Sequence, residues 1–351
     1  MFVSFFCIAT EPFKNKYPIL ESIKSVLPLA DEVIVILGRD EKSSTKLIKG
    51  LDKKVKVFKT DLWHKDWSYD VMTYHFDYGF KKCKGDFCVK FDIDYIFKYS
   101  DEFKLENIFK KKLAFHKVYL PKYNYLDNSH WMIFKRGIYC INKKLIMKEH
   151  NNDQDSFFIG NRNYVNELII NKPIREYVYD GPDIKVFNYD CSFMDKNLFY
   201  EKQFRWYNAY YKKWGNLKHF GLREEILKDK EKLIKFHIER TKERIQHAAK
   251  HNNIHFDSIK FNPALIRTKL RELSYKEYGF NYFGIFKLSN ILYDKLPNKK
   301  QVLLKNMERI KKYFNKLEGE HEFLKGENDE EMVNIIMKNL GDKTLKISKF
   351  L

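Results

Sequence analysis

Long apolar runs are missing from this chain. No uninterrupted stretch reaches the length of a membrane span, which excludes a helical transmembrane anchor within it. No basic leader precedes the first apolar run, Phe2 to Ala9, so that run reads as a first strand rather than a signal peptide. Cysteine is sparse as well. Cys7, Cys83, Cys88, Cys140 and Cys191 form no Cys-x-x-Cys pair, and an odd number set in apolar segments fits reduced thiols in a cytosolic setting. Zinc-finger spacing, RNP-type aromatic runs and arginine-rich blocks are absent, which argues against nucleic acid as a partner. There is no internal repeat or low-complexity linker.

What is present is a globular composition: 351 residues, 44% hydrophobic and 17% aromatic, enough for one large core with an appendage. The formal charge of +19 comes from lysines spread over the whole length and interleaved with acids, as on a solvated surface.

The first hundred residues alternate between periods of 2 and 3.6. Strands are expected at Phe2–Ala9, Glu32–Leu37, Val55–Phe58 and Asp86–Phe91, with helices at Tyr17–Leu29, Ser43–Leu51 and Ser68–Lys82. Such alternation implies parallel pairing and an α/β layer. Shorter strands follow at Lys117–Leu120, Trp131–Phe134, Ile138–Asn142 and Lys185–Phe187, as an antiparallel extension closing a cleft. Beyond Lys196 helices are expected at Lys196–Trp214, Arg223–His251, Pro263–Tyr278, Pro297–Leu317 and Glu330–Leu340. The expected division is an α/β domain over 1–195 and a helical region over 196–351.

The fourth strand runs into Asp92-Ile93-Asp94. Alternation along a strand would put both carboxylates on one face where the chain leaves the sheet. Paired carboxylates there suit a hard divalent cation carrying a phosphorylated ligand. A second such pair, Asp153 and Asp155, lies in Asn151–Phe158. Rim residues Thr10-Glu11 and Gly38-Arg39-Asp40 fall where a switch-point ligand would rest, with Asp61 the alternative to Asp40.

Met72 to Cys88, running into the acidic pair, resembles family 2-type glycosyltransferases of the GT-A fold, in which a helix ends in a Gly-Asp-aromatic turn before an acidic motif. Ile184 to Lys196 followed by Glu201-Lys202-Gln203 is similar to their second signature, and Phe261-Asn262-Pro263 to a third element. The resemblance covers residues 1 to 275. It implies a Rossmann-like, mostly parallel domain that uses Mn²⁺ or Mg²⁺, a nucleoside diphosphate sugar donor and a glycan or lipid-linked acceptor. Asp92 and Asp94 would take the metal, with Asn188 as a weaker third contact where the family has His. Tyr95 stands where the family has a further acid. The segment Gly38 to Thr45 would meet the nucleoside, with Asp92 also able to reach the ribose. Asp153, with Asp155 second, would accept the acceptor's proton, unless Asp155 caps the next helix.

Transfer of this kind would be inverting and cytoplasmic, with peripheral contact to anionic membranes through the basic segment Lys228–Lys250. The competing expectations are a basic metal-dependent protein acting on nucleic acid, which would need Asp101 and Glu102 near the pair, and an inactive scaffold. Trp131 is a candidate sugar platform or a core residue. His75, His116 and His219 lack metal-like spacing and read as structural.

Overall fold

The computed structural model describes residues 1–39, 43–62, 68–127, 130–149, 158–159, 167–168, 173–214, 224–251, 253–256, 259–272, 304, 307–308, 311 and 327–338. Asp40, Asp153, Asp155, His219 and nearly all of the helix expected at Pro297–Leu317 lie outside the described residues, as does the end of the one expected at Pro263–Tyr278.

The chain opens with β1 (Val3–Ala9), α1 (Ile19–Val26), β2 (Glu32–Leu37), α2 (Ser44–Lys49), β3 (Val55–Lys59), α3 (Tyr69–Lys82) and β4 (Phe87–Lys90), as the alternating pattern predicts. Then come β5 (Tyr95–Tyr99), α4 (Leu105–Lys111), β6 (Lys117–Asp127), β7 (His130–Asn142) and α5 (Lys143–Glu149). Short strands follow: β8 (Phe158–Ile159), β9 (Glu167–Leu168), β10 (Glu176–Val178) and β11 (Ile184–Asn188). The remainder is α6 (Lys196–Trp214), α7 (Glu224–Leu227), α8 (Lys230–Lys250), β12 (Ile254–Phe256), α9 (Ala264–Glu272) and α10 (Asp329–Lys338).

The fold is α/β, with one sheet ordered β3-β2-β1-β4-β7-β6-β11-β5. Strands β3, β2, β1 and β4 pair in parallel, the Rossmann-like half. From β4 onward the sheet is mixed, with β4–β7, β7–β6 and β11–β5 antiparallel and β6–β11 parallel. The antiparallel extension therefore continues the same sheet.

Both faces of the parallel half are covered, as parallel strands require. Phe5, Val33, Val35 and Leu37 face α1, while Phe6, Ile34 and Ile36 face α3, α6 and α8. Helix α3 starts at Ser68, whose hydroxyl accepts from the Val71 N–H at 3.2 Å, the expected cap chemistry. It lies so close to the sheet that a Cβ on Gly79 would stand 2.9 Å from the Phe6 ring. Glu32 is buried at the start of β2 and is fully engaged: Ser4 Oγ donates to it at 2.7 Å, Lys56 Nζ at 2.6 Å and the Lys84 N–H at 2.6 Å.

Three expectations are corrected. Trp131–Phe134 and Ile138–Asn142 belong to one strand, because β6 pairs along the whole length and absorbs the irregularity by shifting register between Leu120 and Lys122. The helix expected over Arg223–His251 is two, broken where Asp229 caps α8 by accepting the Lys232 N–H at 3.0 Å. Asp92 and Asp94 lie beyond the end of β4, in a turn closed by the Tyr95 N–H donating to the Asp92 carbonyl at 2.9 Å. Strand alternation is not what brings them together.

Candidate active site

The parallel strands end at one rim, and the chain leaves each of them beside its neighbour. The Gly38 N–H donates to the Ala9 carbonyl at 2.9 Å, Glu11 N–H to Arg39 at 3.1 Å and Thr60 N–H to Leu37 at 3.0 Å. Thr10, Glu11 and Asp61 thus share the rim with the acidic turn. Asn15 Nδ2 clamps the Thr10 and Glu11 carbonyls at 3.2 and 2.9 Å. The Thr10 hydroxyl is buried without a hydrogen bond among the described residues, a costly condition that a ligand would relieve. Glu11 itself pairs with Lys14 at 3.0 Å, so its carboxylate points along the rim.

Helix α1 holds the acidic turn from beneath. Ser22 Oγ donates to the Tyr95 carbonyl at 2.6 Å, and the Phe97 N–H donates to Ser25 Oγ at 3.0 Å. Strand β11 then brings the second signature alongside. Asn188 pairs in register with Tyr95, and the Tyr189 N–H donates to the Asp94 carbonyl at 3.1 Å. The third element arrives beneath these two: the Tyr189 hydroxyl donates to Asn262 Oδ1 at 2.7 Å, and Asn262 is wholly buried. Three segments far apart in sequence meet at one turn.

The charges are arranged in pairs with one exception. Asp92 lies 3.2 Å from Lys90; burial works to raise its pKa, but Lys90 and the Tyr95 hydroxyl hold it below the usual carboxylate range. Asp190 pairs with Lys202 of α6. Burial would raise Asp190, and Lys202 keeps it low. Asp94 is the exception. Its carboxyl is buried, and burial, with Asp190 and Asp92 nearby and only partial relief from Lys202, pushes it up to about 7. Lys122 Nζ donates to the Tyr95 hydroxyl at 3.2 Å, and burial lowers its pKa.

Asn188 is already engaged: its Nδ2 donates to Asn124 at 3.1 Å and its Oδ1 accepts the Asp190 N–H at 2.9 Å, which leaves one lone pair of that oxygen for any further contact. That second bond holds Asp190 at φ 24°, a strained value for a residue with a side chain. Asn124, Asn188, Asp190, Ser192, Thr241 and Arg244 line a cavity of about 70 Å³ beside the turn.

Among the described residues no three His, Cys, Asp or Glu side chains form a metal cluster. The oxygen set nevertheless suits a small hard cation, which takes one or two carboxylates and completes its shell with substrate phosphates. Asp94, a buried carboxylate short of positive charge, is the side chain that fits such a role.

Trp131 is entirely buried and packs on Phe261 at 4.6 Å between centroids, so it is core and not a sugar platform. His75 is buried within α3, and His116 contacts Glu149 at 2.9 Å; both are structural. Asp101 and Glu102 follow β5 at the end away from Asp94. Lys90, Lys122, Asp190 and Lys202 are the site residues that sequence reasoning missed. Asp190 and Lys202 lay inside the segments quoted for the resemblance, but a pairing across twelve residues, from a loop to a helix, has no periodic signature.

No family model matches the chain, nor does any curated protein sequence. Solved structures superpose in part. TarS 1–349 of S. aureus, in complex with UDP, is 13% identical with a TM-score of 0.35, over 60% of this chain and 66% of that one. HddC from Yersinia pseudotuberculosis is 10% identical with a TM-score of 0.32, over 51% of this chain and 90% of that one. Glucosyl-3-phosphoglycerate synthase from Mycobacterium tuberculosis, in complex with Mn²⁺, UDP and phosphoglyceric acid, is 13% identical with a TM-score of 0.27, over 41% and 57%. Similarity this distant carries no argument about activity. The chain's own layout defines its class: an α/β protein with a Rossmann-like half whose acidic residues gather at the carboxyl rim of the sheet. Among the described residues no helix is long and apolar enough to cross a membrane.

Proposed function

We propose that this protein is a glycosyltransferase of the GT-A type, moving a sugar from a nucleoside diphosphate donor to a hydroxyl of a glycan or lipid-linked acceptor with inversion. The observation that carries this reading is the convergence of the three resembling segments. Asp94, the Asn188-Tyr189-Asp190 turn and Asn262 are joined by consecutive hydrogen bonds around one rim.

The nucleoside would lie over Thr10, Glu11 and the end of β2, with Asp40 or Asp61 on the ribose. The diphosphate would face the acidic turn. A Mg²⁺ or Mn²⁺ ion held there by Asp94, with Asp92 beside it, would neutralise the leaving diphosphate. Lys90 and Lys202 hold Asp92 and Asp190 in place and add positive charge on either side. The acceptor hydroxyl would enter from the Asn124–Arg244 cavity, and Asp153 would take its proton, with Asp155 second. Contact with anionic membranes would rest on charge alone. In α8 the apolar residues Leu233, Ile234, Ile238 and Ile245 are buried in the protein, leaving the basic side outward.

The nucleic-acid reading loses the two acids it called for, since Asp101 and Glu102 are at the far end of β5, and the third carboxylate that the fold does bring to the turn, Asp190, is paired with Lys202. The test is a thermal shift with UDP-, GDP- and dTDP-sugars, each with and without Mn²⁺. Stabilisation by one donor that grows with Mn²⁺ supports the transferase. No response to any donor favours the scaffold and removes the proposal.

A further inference from the structure

At the opposite end of β5 the protein holds a second cleft, of about 480 Å³. The five residues from Tyr95 to Tyr99 separate it from the acidic turn by about 13 Å at ~3.3 Å per residue. Lys104, Lys111 and Lys112 border it from α4 and its ends, while Tyr177 and Tyr179 enter from β10 and the residue after it. The two tyrosines are two apart on an extended segment and so share a face.

The lining is built and chemically mixed. Glu176, immediately before Tyr177 in sequence, accepts from the Tyr119 hydroxyl at 2.8 Å and from Arg136 at 3.3 Å, which pins β10 against β6. Lys112 Nζ stands 3.7 Å from the centre of the Tyr177 ring, and the Tyr179 hydroxyl donates to Asp183 at 2.9 Å. Neither Lys104 nor Lys111 has an ion pair among the described residues, whereas Lys110, outside the cleft on the same helix, pairs with Glu106 at 3.4 Å. Lys104, Lys111 and Lys112 outnumber the lining carboxylates Glu102 and Asp183, so the cleft carries a surplus of positive charge that favours an anionic ligand. Tyrosine rings offer a flat apolar face of the size of a pyranose, and Glu102, Asp183 and Asn107 can accept from hydroxyls. A membrane surface would not enter a concave site. A nucleic-acid backbone would meet Glu102 and Asp183 unfavourably, because it has few hydroxyls to satisfy them.

We propose that this cleft is a binding site for an acidic glycan, with sugar rings against Tyr177 and Tyr179 and acid groups on Lys104 and Lys111. The site is independent of the chemistry proposed at the acidic turn. The test is calorimetric titration of the full chain at physiological salt with three probes: a hexamer of galacturonate, neutral maltohexaose and inorganic polyphosphate. The expected result is binding of the galacturonate hexamer at least tenfold tighter than either other probe. A Lys104→Gln/Lys111→Gln variant should lose that binding tenfold or more with an unchanged melting curve, and saturating UDP should leave it intact. Should the double variant melt early, Lys104→Gln alone, an exposed position, replaces it, with an expected loss of about threefold. Absence of galacturonate binding, equal binding of polyphosphate, or wild-type affinity in the variants would overturn the proposal.

Discussion

The main-chain N–H of Tyr189 donates to the carbonyl of Asp94 at 3.1 Å, so the turn after β4 and the turn after β11 are one unit. The carboxyl of Asp94 is then brought near Asp190, and each disfavours ionisation of the other. The site's chemistry follows from that crowding.

Asp94 titrates in the folded protein at about 7, above its ordinary value. A raised acid binds its proton more tightly in the folded state than in the unfolded one. Its stabilising contribution is therefore full below the ordinary carboxylate range and is lost as pH rises toward 7. Asp94→Asn removes this dependence. The variant should melt higher than wild type at pH 8 and nearly with it at pH 4, as read by thermal scans in matched buffers. Mn²⁺ should stabilise wild type at pH 8 and leave the variant unmoved. A variant that keeps the Mn²⁺ response would place the cation elsewhere.

Lys202 is largely buried and is the nearest cation to both Asp190 and Asp94. Burial opposes its charge, but Asp190 raises its pKa well above the ordinary lysine value. Lys202→Met should destabilise the fold by about 1–3 kcal/mol, less than the ~3–5 kcal/mol of a fully buried pair, because Asp190 remains half in water. The loss should be larger at pH 8 than at pH 5, since a protonated Asp94 no longer needs the ammonium. Chemical denaturation at both pH values measures it. An equal loss at the two would mean that Lys202 acts through packing on Tyr17 rather than through charge.

Gly79 tests how α3 sits on the sheet. A methyl group there would meet Phe6 Cδ2 at 2.9 Å and Ile36 Cγ1 at 3.2 Å, both buried. Gly79→Ala should cost about 1–3 kcal/mol despite the better helix propensity of alanine. Denaturant melts of Gly79→Ala would settle the sign, and a stabilised variant would show that α3 can lift freely.

The parallel half was legible because each strand is a short apolar run and each helix carries one apolar face. Glu32–Leu37 has the same bounds in both readings. Strand β5 was missed because Tyr95–Tyr99 adjoins the acidic turn and reads as its continuation; only pairing with β11 makes it a strand. Asp92 and Asp94 were found for a partly mistaken reason. Their type and place at a strand end were visible, but their geometry belongs to a turn supported by Ser22, seventy residues away. The lysines set beside the acids left no signal, since 66 basic residues are spread along the chain and only folding selects Lys90, Lys122 and Lys202.

The basic side of α8 can be examined directly. With its apolar residues turned inward, binding to vesicles should be weak, confined to anionic lipid and abolished by moderate salt. Co-sedimentation with phosphatidylserine and phosphatidylcholine vesicles at two salt concentrations reads this. Equal binding to neutral vesicles would require an apolar insertion that α8 does not offer.

The proton acceptor is the remaining assignment. An inverting transfer needs a carboxylate across the sugar from the diphosphate, within reach of the acceptor hydroxyl. Asp92 and Asp190 are held by lysines below the ordinary range, which makes them weak bases, and the proposed scheme assigns Asp94 to the diphosphate side. The described carboxylates of the turn are thus committed, and Asp153 is left as the base in the proposed scheme. A group that acts only in the transition state contributes to kcat and not to donor affinity. Asp153→Asn should lower kcat by about 100-fold or more and leave donor and Mn²⁺ affinity near wild type, while Asp155→Asn should lose only a few-fold. Steady-state kinetics beside donor titration for the two variants separates the roles. If Asp155→Asn shows the larger kcat loss, the two exchange places. If both variants lose donor affinity while kcat holds, the segment shapes the donor pocket and the base lies elsewhere.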